Sequence, residues 1–193
     1  MKDNNTDKAF EKIEKNWLRL MAAADAVGDD KIISLLNDNA ERIMVSPYST
    51  NTEFSGAYPG GLLEMTLKII NYMVNMAKAT NQEIDQKSLV KIGILHGIGK
   101  IGNEDHDLFV ENDSNWHRER GMVYKWNPEI EPLSFSIRTL RWINRYNIQL
   151  TEREYVTIHG ASKSPDQISS GEFHNSWPET VLLQAAIRLL PNG

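Results

Sequence analysis

The sequence predicts an all-α, mostly helical domain that carries one short β-hairpin near residues 108–126. Three observations predict it. Apolar residues recur every three to four positions through most of the chain. Glycine and capping residues cut that periodicity into helix-sized pieces. Between Gly97 and Asn127 the helical period fails, and two short apolar runs flank a polar turn.

The elements follow in order. Phe10, Ile13, Trp17, Leu20 and Ala24 form one stripe, so residues 6–27 read as an amphipathic helix starting near Thr6. Gly28-Asp29-Asp30 ends it and caps a second helix, with Ile33, Leu36, Ala40 and Ile43 as its buried stripe; residues 1–44 are thus an N-terminal helical pair. Residues 45–60 are a loop by composition. A third helix over 61–79 carries Leu62, Met65, Ile69, Tyr72 and Met76 on one face, and a fourth begins near Asp85 and aligns Leu89, Ile92, Gly93 and His96. Phe109-Val110 and Met122-Val123-Tyr124 flank Asn112-Asp113-Ser114-Asn115 as a hairpin. Helices resume with Leu133, Ile137, Leu140 and Ile143. Thr151-Glu152-Arg153-Glu154 is a capping-box pattern, and Ser176-Trp177-Pro178-Glu179 has the same form before a last helix that buries Leu182, Leu183, Ala186 and Leu190. No repeat, low-complexity tract or linker divides the chain, so 1–193 is expected to be a single domain.

Composition bounds the chemistry. The 193 residues carry 21 Lys+Arg against 26 Asp+Glu, a formal charge of −5, with 40% hydrophobic content. That length can bury a core without disulfides or metals to hold it. The spread acidic charge argues against a generic grip on nucleic acid or an anionic membrane, because phosphate neutralisation supplies most of such affinity. Cysteine is absent, which removes thiol nucleophiles, thiolate zinc sites and disulfides together. No run approaches the ~18 apolar residues of a membrane span, and Met1–Lys8 is too polar for a signal peptide. The expectation is a cytoplasmic protein whose chemical resource is five histidines: His96, His106, His117, His159 and His174.

Two motif matches fail on context. Gly97-Ile98-Gly99-Lys100-Ile101-Gly102 fits G-x-G-x-x-G, yet a dinucleotide site needs a strand before the glycines and a helix opening within them. Here a helix precedes and Asn103-Glu104-Asp105-His106-Asp107 follows. A phosphate-loop reading of Gly99-Lys100 puts Ile94 where a glycine belongs and Ile101 where a magnesium-binding Ser or Thr belongs. No serine sits in a nucleophile-elbow context either.

Five ordered segments carry a resemblance. Tyr58-Pro59-Gly60-Gly61-Leu62-Leu63-Glu64-Met65-Thr66-Leu67 is similar to a segment usually reading P-G-G-L-L-E-H-[ST]-L. Leu95-His96-Gly97-Ile98-Gly99-Lys100-Ile101-Gly102 resembles L-H-D-[IL]-G-K-x-G. Asn112–Glu119 looks like a hairpin segment, and Leu150–Tyr155 like the helix start that leads to I-R-x-H-D-G. Val181–Leu189 lines up with L-L-x-H-x-A-D-R-[IL]. Together, over residues 55–190, they resemble the HD superfamily of metal-dependent phosphohydrolases, in particular its small phage and bacterial members. The resemblance implies an HD-like helical core and, for a phage-encoded chain, a place in the host cytoplasm or the virion.

The departures matter as much. The family's metal ligands carry over to Met65, His96, Gly97 and Ile187, of which only His96 keeps its type. The auxiliary H-D-G triplet has become His159-Gly160-Ala161, and the last helix's histidine Gln184. Magnesium and manganese want hard oxygen donors, with imidazole tolerated by manganese and iron. A thioether, a bare glycine and an aliphatic chain supply neither charge nor a hold on metal-bound water, the implied nucleophile. The expectation is therefore an inactive HD-type domain without a metal cofactor, retained to bind a protein partner or a small nucleotide or phosphate ligand. The alternative is an active phosphohydrolase with a remodelled site using Mn, Fe or Mg, drawn from His96, His159, His106, His117, Asp105 and Asp107.

The ligand-binding candidates are His96, Lys100, His117, Arg118 and His159. Lys100 stands where the resemblance implies contact with substrate phosphate; an exposed lysine in a glycine-rich loop is the other reading. His96 on an apolar stripe also fits a hydrogen-bonded core histidine. Trp116, His117 and Arg118 either line the same mouth or pack the hairpin. Met65 and Ile187 fit as core filling. Arg138, Arg141 and Arg145, at helical spacing beside Trp142 and Tyr146, read as a solvated helix flank.

Overall fold

The computed structural model describes residues 4–161 and 177–190, with side chains from Asp7 onward. Among the described residues the chain is helical, with a two-stranded antiparallel hairpin, as expected. The helices are α1 (Asn4–Val27), α2 (Asp30–Asp38), α3 (Ala40–Val45), α4 (Gly61–Ala79), α5 (Gln86–Leu95), α6 (Asn115–Arg118), α7 (Phe135–Arg145), α8 (Glu152–Gly160) and α9 (Pro178–Arg188). A 3-10 turn spans Ile98–Ile101, and the strands are β1 (Phe109–Glu111) and β2 (Tyr124–Trp126). No described helix is long and apolar enough to cross a membrane.

Helix α4 is the axis of the core. It buries Leu62, Leu63, Met65, Thr66, Ile69, Met73 and Ala77, a stripe wide enough to meet α1, α3, α5 and α9 at once. Its N-terminus starts abruptly because Gly60 takes a left-handed conformation (φ 81°) that other residues rarely adopt. Gly93 on α5 lets the two helices close up: a Cβ there would lie 2.5 Å from Cγ1 of Ile70. Leu89, Ile92 and His96 are buried alongside Gly93, as the stripe predicts.

The N-terminal pair is three helices. Asn39 breaks the second one, its side chain donating to the Leu35 carbonyl (2.8 Å) and the Tyr146 hydroxyl (3.2 Å), so the chain turns before α3. The buried residues of α2 are Ile32, Leu35 and Leu36, with Ile33 and Ala40 only partly covered. Phe10 is 61% exposed, because the core contact of α1 begins at Ile13. Arg42 on α3 then clamps the irregular loop. Its guanidinium donates to the carbonyls of Ile101 (2.6 Å), Asn103 (2.6 Å) and His106 (2.9 Å) and to the Asp107 carboxylate (2.8 Å).

The hairpin pairs Phe109 with Trp126, Val110 with Lys125 and Glu111 with Tyr124, so its second strand lies later than the sequence suggested. The connection contains α6, capped by Ser114. Helix α7 begins at Phe135, after Leu133, and is turned from its expected face: Ile137 is 44% exposed whereas Arg138 is 1% exposed. Arg138 is therefore not part of a solvated flank. Its Nη2 donates to the Glu131 carbonyl at 2.7 Å, while Arg141 and Arg145 do lie outside and meet Glu104.

The capping box at Thr151 forms in full. Thr151 Oγ1 accepts from the Glu154 amide (3.2 Å) and Glu154 accepts from the Thr151 amide (2.9 Å). The same carboxylate reaches Ser88 and Lys91 on α5, so the cap also ties α8 to its neighbour. Thr151→Ala is expected to lower stability by about 1 kcal/mol, a drop of roughly 2–4 °C in the thermal midpoint. Unchanged melting would show that the hydroxyl carries nothing. At the start of α9 Trp177 is the N-cap without a side-chain bond, and Pro178 supplies the first turn; the second capping pattern depends on Ser176. Ser176 and His174 lie outside the described residues.

Candidate functional site

The 3-10 turn is wedged against the first turn of α7. Gly99 donates to Thr139 Oγ1 (3.0 Å), and that hydroxyl donates to the His96 carbonyl (3.2 Å). This contact fixes the next residue, Lys100, whose Nζ donates to the Tyr48 carbonyl at 2.9 Å. The ammonium sits 4.2 Å from the ring centroids of both Tyr48 and Phe135, and 6.0 Å from that of Phe109. Facing aromatic quadrupoles hold a cation there. Trp126 completes the aromatic group, stacked on Phe135 at 6.2 Å and edge-on to Phe109 at 5.6 Å.

These residues wall a cavity of about 520 Å³ that also takes in Ser49, Thr50, Ile187 and Arg188. Burial alone pulls the Lys100 amine down to about 8, and no carboxylate of the described residues pairs with it. An unpaired ammonium and an Arg at an apolar, aromatic cavity of this size suit a small anion with a flat or apolar body.

His96 lies next to this cavity, behind Tyr48, with ring centroids 6.5 Å apart. Its Nδ1 donates to the Gly93 carbonyl at 2.7 Å, which leaves Nε2 as a bare lone pair, buried and without a partner. Burial, helped by the Lys100 charge, drives its pKa down to about 4, so the imidazole is neutral near pH 7. His96 is thus a core histidine with one bond made and one ring nitrogen open.

The other positions that the resemblance implies offer no carboxylate or imidazole. Met65 is 1% exposed, with its Cγ beside Gly56. Gly97 faces Leu62 and Thr66, and Ile187 is a partly buried aliphatic wall of the cavity. Among the described residues no three His, Asp or Glu side chains are placed to share a metal ion. The residues present do not fit the dication that the resemblance implies.

The remaining candidates are dispersed. His159 is exposed on α8, stacked on Tyr155 at 6.3 Å, because that helix turns Thr157 and Ile158 inward instead. His117 packs edge-on against Trp116 (4.8 Å) and Arg118 bonds Asn115, so both serve the hairpin connection and neither lines the cavity. His106 faces Glu129 and Asp107 is held by Arg42, which leaves Asp105 without a metal-binding company.

Sequence reasoning found Lys100 and missed its setting. Tyr48, Phe109, Trp126, Phe135 and Arg188 come from five separate segments. The one local signal was the pair of aromatics opposite each other on the hairpin, Phe109 and Trp126. Set against known protein families, curated proteins and solved structures, the chain matches none of them.

Proposed function

We propose that this chain is a binding protein on a degenerate HD-type core, taking a small nucleotide or phosphate ester in the Lys100 cavity. One observation carries the reading: a lysine ammonium with no carboxylate partner among the described residues is held at an aromatic-walled cavity that Arg188 also lines. The degenerate metal positions support binding over hydrolysis, since Met65, Gly97 and Ile187 bring no ligand chemistry to His96. The resemblance to phage-type members adds the expectation of an accessory protein acting in the host cytoplasm or in the virion.

Calorimetric titration with nucleoside phosphates and inorganic phosphate tests this. Lys100→Met is expected to weaken binding by about 10- to 100-fold, the value of one hydrogen bond to a charged group. The contribution of the Lys100 charge to wild-type affinity should be full well below pH 8 and fall as pH rises through about 8, where the amine loses its charge. The titratable neighbours Tyr48 and His96 hold one charge state across that window. A panel in which nothing binds would overturn the proposal. Stoichiometric Mn or Fe, with phosphodiester turnover lost in His96→Ala, would replace it with a remodelled phosphohydrolase.

A further inference from the structure

Lys100 has a property that anion binding does not use. Most lysines stay charged at neutral pH and are poor nucleophiles; an amine in an apolar enclosure with no counter-charge is the form that attacks carbonyls. The Lys100 amine meets those conditions. One N–H is fixed on the Tyr48 carbonyl, two ring faces flank the nitrogen, and the side chain lines the open cavity. Arg188 on the same wall supplies a separate cation, so an anionic group can be held without consuming the amine.

We propose that Lys100 forms a reversible imine with a flat aldehyde that carries a phosphate or carboxylate, the anionic group resting on Arg188. The inference rests on the cavity being a ligand site. The Nζ lone pair attacks the carbonyl carbon and a C–N bond forms. Both N–H protons pass in turn to the former carbonyl oxygen, the first giving the carbinolamine hydroxyl and the second letting it leave as water while the C=N bond closes. Hydrolysis reverses the sequence, and no oxidant or reductant is needed. The aromatic walls stack the flat body against the amine, which favours the imine over the free aldehyde. The amine's pKa of about 8 leaves an appreciable neutral fraction at pH 7.5, where an ordinary lysine has almost none.

Pyridoxal 5′-phosphate is the probe, because it is a flat aromatic aldehyde bearing a phosphate. The intact protein is incubated with a substoichiometric amount at pH 7.5, reduced with borohydride and mapped by peptide mass spectrometry. Lys100 is expected to be labelled at least about tenfold faster than the exposed lysines, reflecting its larger neutral fraction. Arg188→Gln should lower that preference, and Lys100→Arg, which keeps the charge, should abolish the cavity adduct while melting like the wild type. Labelling spread over surface lysines with Lys100 unmodified overturns the imine. If nucleotides or phosphate still bind in that case, the cavity reading stands; if they do not, both fall.

Discussion

Gly99→Ala is expected to lower the melting midpoint by about 6–12 °C, the consequence of roughly 3 kcal/mol of lost stability in a chain of this size. A Cβ at Gly99 would overlap the Phe135 carbonyl oxygen, lie 2.6 Å from the Thr139 amide nitrogen and 2.8 Å from its hydroxyl. Two of those atoms are backbone of the first turn of α7, which is anchored by its Ser134 cap and cannot rotate aside. The 3-10 turn must then lift away, taking with it the Gly99–Thr139 hydrogen bond and the hydroxyl's bond to the His96 carbonyl. Lys100 follows in sequence and touches the Phe135 ring, so the same displacement should weaken ligand binding. Gly97→Ala is the control. Its Cβ would meet Leu62 Cδ1 at 3.3 Å and Thr66 Oγ1 at 3.9 Å, side-chain ends that can yield, and its φ of −99° is ordinary. It should remain within about 1 kcal/mol of wild type by thermal or urea melting. Equal melting of Gly99→Ala and wild type would refute the wedge.

Why Gly99 differs from Gly97 is not written in the local sequence, and this pattern recurs. Helices that depend on their own residues were legible. The α4 span followed from its long periodic run and the glycines before it; α5 followed from Asp85, whose side chain accepts from the Lys87 amide; α8 followed from its reciprocal cap. What depended on distant partners was not legible. Ile137 and Arg138 exchange expected places, and Arg138 spends one guanidinium N–H on the Glu131 carbonyl, outside the helix. The break at Asn39 needs Tyr146, more than a hundred residues away. The candidate site divides in the same way. His96 and Lys100 can be nominated from the sequence because a short segment carries both, whereas the aromatic setting is assembled from the 45–60 loop, both strands and α7. His159 was grouped with His96 on the strength of resemblance, and the rotation of α8 separates them.

His96 is expected to make the protein acid-sensitive in a window that carboxylates do not share. In the unfolded chain its pKa is 6.5, and in the fold burial and the Lys100 charge lower it to about 4. Between those values the unfolded state binds the proton and the native state does not, so stability falls as pH falls. It is whole above about pH 6.5 and declines progressively toward pH 4, for a total of about 3 kcal/mol at 1.36 kcal/mol per unit. The loss is large because protonation would place a charge on Nε2, which has no acceptor within the core, while Nδ1 is already committed to Gly93. Urea unfolding of wild type and His96→Gln at pH 7 and pH 4.5 isolates the effect, since the carboxylates held low, Glu104 by its own backbone amide with Arg145 and Arg141 and Glu64 by Lys12, Tyr58 and Lys68, are common to both proteins. The variant should lose about 2–3 kcal/mol less between the two pH values; an identical loss in both would remove His96 as the cause. A native pKa this low also keeps the imidazole neutral with its Nε2 lone pair free, the form in which histidine ligates a metal. On the proposed HD-type reading, His96 is thus still in a competent state, and the identities of Met65, Gly97 and Ile187 are what would deny it the company a metal needs.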